Sequence, residues 1–160
     1  MVNNLEDHHK DMPQKILSFS ENTIIDSFEM VFSSKITTLA NVMTREVITL
    51  DHTKTAHDAA TIMMKKRIGS VLITAYGKPF GIVTERDLAR LVAFLKMPDK
   101  CMILSYLASR PLICARPTNT IQEASDIMGR YNIDHLPIME NGSIVGMVTT
   151  KDLAKYLLCV

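Results

Sequence analysis

One stretch of this chain occurs twice, and that constrains its fold more than any other feature. A shift of 65 positions superposes Val42–Ala89 on Leu107–Ala154 without a gap, and 16 of the 48 positions are identical. The identities run through Arg45/Arg110, Ile48/Ile113, Thr53/Thr118, Thr55/Thr120, Ala59/Ala124, Ile62/Ile127 and Met63/Met128. They continue through Ile68/Ile133, Ile73/Ile138, Gly77/Gly142, Gly81/Gly146, Val83/Val148, Thr84/Thr149 and Asp87/Asp152. A chain that repeats itself over this length builds two like units, so one reading of the local pattern must serve both copies.

Within each copy the pattern predicts strand, helix, strand, turn, strand, helix. The first strand is short, Val47–Leu50 or Leu112–Ala115, and stops at the polar or breaking residues Asp51-His52-Thr53 or Arg116-Pro117-Thr118. Ala59, Ile62 and Met63, and then Ala124, Ile127, Met128 and Tyr131, recur at the i, i+3, i+4 spacing of a helix with a buried face. Val71-Leu72-Ile73 and Leu136-Pro137-Ile138 read as strands. Each leads to a hairpin turn, Tyr76-Gly77 or Asn141-Gly142, where both turn residues take φ > 0. Phe80–Val83 and Ile144–Val148 form the last strand of each copy.

The chemistry sits where that strand ends, in Gly-Ile-Val-Thr-Glu-Arg-Asp (Gly81–Asp87) and Gly-Met-Val-Thr-Thr-Lys-Asp (Gly146–Asp152). The expected form is strand, Gly-containing turn, helix start. The first N–H groups of a helix lack intrahelical partners and carry positive partial charge, which makes its start a seat for phosphate. In each motif the Asp87 or Asp152 carboxylate can accept two hydrogen bonds from vicinal ribose hydroxyls. Thr84 or Thr149, with the helix-start N–H groups, can reach a phosphate, and Arg86 or Lys151 adds positive charge there. Thr-x-x-Asp before an apolar run is also an ordinary capping box, and the duplication is what favours binding over capping alone.

The duplicated Gly-x-x-Thr-x-x-Asp, Ala-x-x-x-Met in each first helix, Met43-Thr44-x-x-Val47, and Leu136-Pro137-Ile138 after Ile133 together resemble a tandem pair of CBS domains, a Bateman module. The resemblance covers roughly Leu39 to Leu158. It implies an α/β (α+β) fold of two β-α-β-β-α repeats packed with pseudo-two-fold symmetry, each entered by a lead-in helix. It further implies adenine contacts near Thr44, Ile48, Ile68, Gly69 and Ser70 in one copy and near Ser109, Ile113, Ile133, Asp134 and His135 in the other. Ser70 and His135 occupy places similar to phosphate-facing positions. Asp134, standing where the first copy has Gly69, would repel a phosphate if it pointed inward. Arg116 and Arg130 are further phosphate candidates, with solvated charge the preferred reading. Which repeat's strands pair with which Asp is open at this point.

Composition bounds the rest. With 160 residues and 47% apolar content the chain can bury about 70% of its unfolded surface without metals or disulfides. Lys and Arg total 18 and Asp and Glu 17, a balance that argues against general nucleic-acid binding. Cys101, Cys114 and Cys159 form no Cys-x-x-Cys pair and suggest a reduced, cytoplasmic setting. The first residues lack the apolar core of a signal peptide, and no run approaches the ~18 apolar residues of a membrane span. His52 and His57 lack partners at a catalytic or zinc spacing, so no metal site and no catalytic group are expected. Asp7, His8 and His9 are adjacent and poorly placed to share a metal.

The expected division is a disordered tail over 1–13, a helical N-terminal extension over 14–38, a first repeat over 39–98 and a second over 99–160. Ile24, Phe28, Val31 and Phe32 give the extension an apolar helical face. Leu88, Leu91, Val92 and Leu95, with Ala89 and Ala93, make the helix after the first motif apolar nearly all round, which asks for cover from the other repeat and from a second subunit. The function expected is a regulatory homodimer that senses an adenine nucleotide (AMP, ADP or ATP, with Mg²⁺ as companion) without catalysis and signals through a partner or its own N-terminal segment. The rivals are another adenosyl ligand (S-adenosylmethionine, NAD or a cyclic dinucleotide), a ligand-free interaction protein whose Thr-x-x-Asp boxes only cap helices, and, last, an enzyme acting on a nucleotide.

Overall fold

The computed structural model describes residues 37–95 and 102–158. The expected tail and nearly all of the N-terminal extension, with Cys101 and Cys159, lie outside the described residues. The first repeat is built from β1 (Thr49–Asp51), α2 (Ala56–Lys66), β2 (Ser70–Ala75), β3 (Lys78–Thr84) and α3 (Glu85–Arg90). The second has α5 (Ile121–Tyr131), β4 (His135–Glu140), β5 (Ser143–Thr149) and α6 (Thr150–Leu158). Short lead-in helices, α1 (Leu39–Val42) and α4 (Leu104–Leu107), precede them. The mixed α+β class and the two repeats are as the sequence predicts.

Local chemistry sets the element ends. Thr55 caps α2 and Thr120 caps α5, each in a reciprocal box with Asp58 or Glu123 three residues on. Both helices end on a left-handed residue, Arg67 or Asn132. The two-residue hairpin turns carry positive φ at both positions, 53° and 74° at Tyr76-Gly77 and 49° and 78° at Asn141-Gly142. They close Ala75 on Lys78 and Glu140 on Ser143.

The two sheets are unequal, and one residue explains why. In the first repeat β1 runs parallel to β2, and the Leu72 N–H donates to the Ile48 carbonyl at 3.1 Å. The position matching Leu72 is Pro137, which has no N–H to give to Ile113. The expected strand Leu112–Ala115 is therefore reduced to a single bridge between Ala115 and Ile138, and the second sheet has only β4 and β5. The helix after the first motif also departs from expectation: beyond Arg90 it continues as a π-helical turn over Leu91–Leu95. Leu91 is buried, while Ala89, Val92 and Ala93 of the same helix are exposed. Tyr131, expected on the buried face of α5, is 51% exposed.

Gly81 and Gly146 do not form turns. Each lies inside a strand, three residues before the helix cap, and β3 and β5 run straight into α3 and α6. The reason for glycine is close approach. A Cβ on Gly81 would stand 2.9 Å from the Ser109 carbonyl oxygen, and one on Gly146 would stand 2.5 Å from Met43 Sδ. The residues after the lead-in helices cross at these points, Ser109 bridging Ile82 and Thr44 bridging Met147.

The lead-in helices are exchanged between repeats. Leu39 of α1, which precedes the first repeat, is fully buried in the second repeat's core with Ala124, Met128, Leu136, Ile138 and Val148. Leu104 and Ala108, which precede the second repeat, complete the first repeat's core with Ala59, Met63, Val71, Ile73 and Val83. Each repeat is thus closed by a helix that the sequence attaches to the other.

Candidate functional site

Both motifs form the same helix start. Thr84 caps α3: the Thr84 N–H and hydroxyl donate to Asp87 Oδ2 at 2.8 and 2.7 Å, and the Asp87 N–H returns a bond to the Thr84 oxygen at 3.4 Å. Thr149 and Asp152 repeat this at 2.9, 2.7 and 3.3 Å. The N–H of the first helical residue is also taken, Glu85 by the Gly69 carbonyl and Thr150 by the Asp134 carbonyl, each at 3.0 Å. These starts are therefore largely satisfied from within. Each threonine hydroxyl has spent its one proton, which leaves the N–H of Arg86 or Lys151 and its cationic side chain as the donors a phosphate would meet. Each carboxylate uses Oδ2 in this box and leaves Oδ1 outside it.

The capping chemistry alone does not mark a site, because Thr55/Asp58 and Thr120/Glu123 make the same boxes on exposed surface. What separates the motif boxes is where they open. Two clefts lie between the repeats, and each pairs the strand edges of one repeat with the helix start of the other. Cleft one, about 550 Å³, brings Thr44, Ile48, Ile68, Gly69 and Ser70 of the first repeat to Thr149, Lys151 and Asp152 of the second. Cleft two, about 570 Å³, brings Ser109, Ile133, Asp134 and His135 of the second to Thr84, Arg86 and Asp87 of the first. Volumes of this size suit a small molecule.

The exception among the sequence-predicted residues is Ile113, which lines neither cleft and packs on the second repeat's core. Ile113 lacks the backbone bond that ties Ile48 to Leu72, because Pro137 carries no N–H. Arg116 and Arg130 line neither cleft. Sequence reasoning missed Glu46, Arg67, Glu85 and Thr150, all on the wall of cleft one, and Tyr131, Asn132 and Arg90 in cleft two. Glu85 and Thr150 are the same motif position in the two copies, so their difference was visible as a break in the repeat.

The clefts differ in charge and openness. Asp87 is 8% exposed and its Oδ1 lies 4.0 Å from Arg90, whereas Asp152 is less buried and has no ion pair among the described residues. Arg86 turns across cleft two to pair with Asp134 of the other repeat at 2.6 Å. The carboxylate expected to repel phosphate is thus held by the cation expected to attract it. His135 lines both clefts, and its Nε2 would stand 3.0 Å from a Cβ on Gly69. Burial pushes its pKa below the usual histidine value, against the raising influence of Asp134 and Glu85. That shift favours the neutral imidazole over the cation.

Cys114 is partly buried, and desolvation pushes its thiol pKa up, away from the reactive thiolate. Among the described residues no group of three or more His, Cys, Asp or Glu could hold a metal ion, and no helix is long and apolar enough to cross a membrane.

Comparison with known proteins agrees with the two-repeat fold. The family model described as the CBS domain matches residues 39–93 and again 104–159. The CBS domain-containing protein YhcV of Bacillus subtilis is 30% identical over 114 residues, which are 71% of this chain and 81% of that protein. An uncharacterized protein of Methanopyrus kandleri is 37% identical over 118 residues, 72% of this chain but 60% of its own length. Among solved structures, the CBS domain pair of protein MJ0100 in complex with 5′-methylthioadenosine and S-adenosyl-L-methionine superposes with a TM-score of 0.70 at 26% identity, covering 78% of this chain and 98% of that one. The chain belongs to the CBS domain family and carries two copies of that domain in tandem.

Proposed function

We propose that this chain is a regulatory module that binds an adenosyl ligand in cleft one without chemistry. The observation that carries the reading is the convergence there of one repeat's strand edges, Thr44, Ile48 and Ile68–Ser70, on the other repeat's Thr149–Asp152. Ile48 and Ile68 offer apolar faces to an adenine, Asp152 Oδ1 accepts from the ribose diol, and Lys151 stands where a 5′-phosphate follows. The match to a CBS pair that holds adenosyl compounds supports the same ligand class.

The charge of the cleft narrows the class. Four carboxylates line it, Glu46, Glu85, Asp134 and Asp152, against the two cations Arg67 and Lys151. That surplus disfavours a triphosphate, and AMP is the nucleotide we propose over ADP and ATP unless Mg²⁺ accompanies them. The same surplus favours a second reading, an adenosyl sulfonium such as S-adenosylmethionine, whose positive charge the acids would stabilise. Ligand binding would act by its difference in affinity for two arrangements of the repeats or subunits. The exposed Ala89, Val92 and Ala93 form the face on which we place a second copy in a homodimer, and the regulated partner reads that state. We place the module in the cytoplasm.

Calorimetric titration of AMP, ADP, ATP (with and without Mg²⁺) and S-adenosylmethionine into the full chain and its Asp152→Ala variant tests this. Saturable binding lost in the variant is expected. No binding of any of them to folded protein freed of carried-over ligand would favour the interaction-protein reading.

A further inference from the structure

Asp134 lines both clefts, and its two carboxylate oxygens face different partners. Oδ1 lies 3.4 Å from the hydroxyl of Thr150, the first residue of α6, at the end of cleft one where a phosphate would follow the ribose. Oδ2 lies 2.6 Å from a guanidinium nitrogen of Arg86, which lines cleft two and belongs to the other repeat. The Asp134 carbonyl accepts from the Thr150 N–H at 3.0 Å, so its backbone is fixed to the start of α6. Four carboxylates line cleft one, and among the described residues only Asp134 of these is in an ion pair. The crossing is made once. Gly69 stands at the position matching Asp134 and has no side chain, so Lys151, which matches Arg86, meets no such partner.

We propose, building on the adenosyl reading of cleft one, that Arg86 is a positioning residue for that cleft: by holding Asp134 from outside, it lets cleft one accept a 5′-phosphate. Released from Arg86, the Asp134 carboxylate would present its full charge beside Thr150 and Lys151. A negative charge there disfavours an anionic ligand and favours an adenosyl sulfonium. With Arg86 counted, the four carboxylates of cleft one stand against three cations rather than two. Arg86 therefore sets which charge the cleft accepts, although it does not line it. The side chains of Arg86 and Asp134 are 50% and 55% exposed, so the pair contributes little to stability and its loss is read in ligand affinity rather than in folding. The sequence places Arg86 at the phosphate of its own motif; here it serves the motif of the other copy.

Calorimetric titration of AMP and of uncharged adenosine into the full chain tests this role, in an Asp87→Asn background. That change keeps an oxygen for the Thr84 cap and removes the diol acceptor of cleft two, so the titration reads cleft one. Arg86→Gln should weaken AMP about three- to tenfold, the size expected for one charge a few ångströms from a phosphate in a half-exposed cleft, and leave adenosine within about twofold. Arg86→Lys should retain most of the AMP affinity. Combined with Asp134→Asn, where no charge is left to hold, Arg86→Gln should have a much smaller effect on AMP. Circular dichroism checks that each variant is folded. An AMP loss of equal size with and without Asp134→Asn, a loss shared equally by adenosine, or no loss at all would overturn the role of Arg86 and leave the adenosyl reading standing. Failure of the folded Asp87→Asn protein to bind either ligand would overturn both.

Discussion

Replacing Gly81 by alanine sets two effects of opposite sign against each other. Glycine inside a strand is less favourable than alanine by about 0.5–1 kcal/mol, because the unfolded chain has more freedom to lose. The structure opposes that gain. The new Cβ would lie 2.9 Å from the Ser109 carbonyl oxygen, 3.1 Å from Ala108 Cβ and 3.2 Å from Arg110 Cγ. The first of these is backbone: it accepts from the Ile82 N–H at 3.4 Å, and the Ser109 N–H donates back to the Ile82 carbonyl at 2.9 Å. To relieve the contact the segment must lift off β3, stretching those bonds and unseating Ala108 from the first repeat's core. Overpacking of this kind costs about 1–3 kcal/mol, and a lost hydrogen bond about 0.5–1.5 kcal/mol. Subtracting the entropic gain leaves a net loss of about 0.5–4 kcal/mol. Gly129→Ala is the matched control: this glycine lies in α5 with no atom within 4 Å of the new Cβ and no positive φ. There the alanine should stabilise by about 0.5–1 kcal/mol. Urea unfolding of the three proteins, analysed at constant m-value, reads both signs. A Gly81→Ala variant as stable as the wild type would refute the close-approach account.

Thr120→Ala should lower stability by about 1 kcal/mol through loss of the α5 cap and leave AMP affinity alone, whereas Thr149→Ala should lower both, measured by urea unfolding and titration. The burial that depresses the His135 pKa makes folding expel a proton, so its contribution is fully present above the unfolded value near 6.5 and is lost as pH falls toward the folded value. Stability followed by urea unfolding between pH 7.5 and 5.5 should therefore decline on acidification, and His135→Gln should flatten that slope; an equal slope in the variant counts against it. The lowered carboxyl groups Asp51, Asp58 and Glu123 titrate from lower unfolded values, 3.8 for the aspartates and 4.5 for Glu123, so their losses belong to more acidic solution. Gly77→Ala has open space for its Cβ but φ of +74°, and should cost about 1 kcal/mol by backbone strain alone.

What could be read in the sequence is what short-range chemistry decides. The hairpins at Tyr76-Gly77 and Asn141-Gly142, the threonine caps and the buried faces of α2 and α5 depend on residues within a few positions of one another. What could not be read depends on distant partners. Pro137 cancels a strand through a bond it would owe to Ile113, and no local window contains both. The glycines of the motif looked like turn residues because the segment they accommodate lies far away in sequence, at Ser109 and at Met43. The pairing of each aspartate with the opposite repeat's strand edges likewise needed the three-dimensional arrangement, which brings Asp152 and Lys151 to one cleft with Ile68 and Gly69. Glu85 was missed for a different reason. Its signal lies in a difference between the copies, Glu85 against Thr150, and not in their identities.

The exchanged lead-in helices carry a consequence for how such a chain can be divided. Cutting between the repeats, at the undescribed segment 96–101, would give two fragments each holding the wrong closing helix: the first would keep Leu39 and lose Leu104, the second the reverse. Neither fragment could seal its own core, yet two copies of one fragment could trade helices and do so as a symmetric pair. The seam of heredity, where one ancestral unit was copied and joined to itself, is therefore not a seam of folding. The intact chain from Thr37 onward is one compact unit, and the joining of the copies turns an exchange that would depend on concentration into one that each molecule makes within itself.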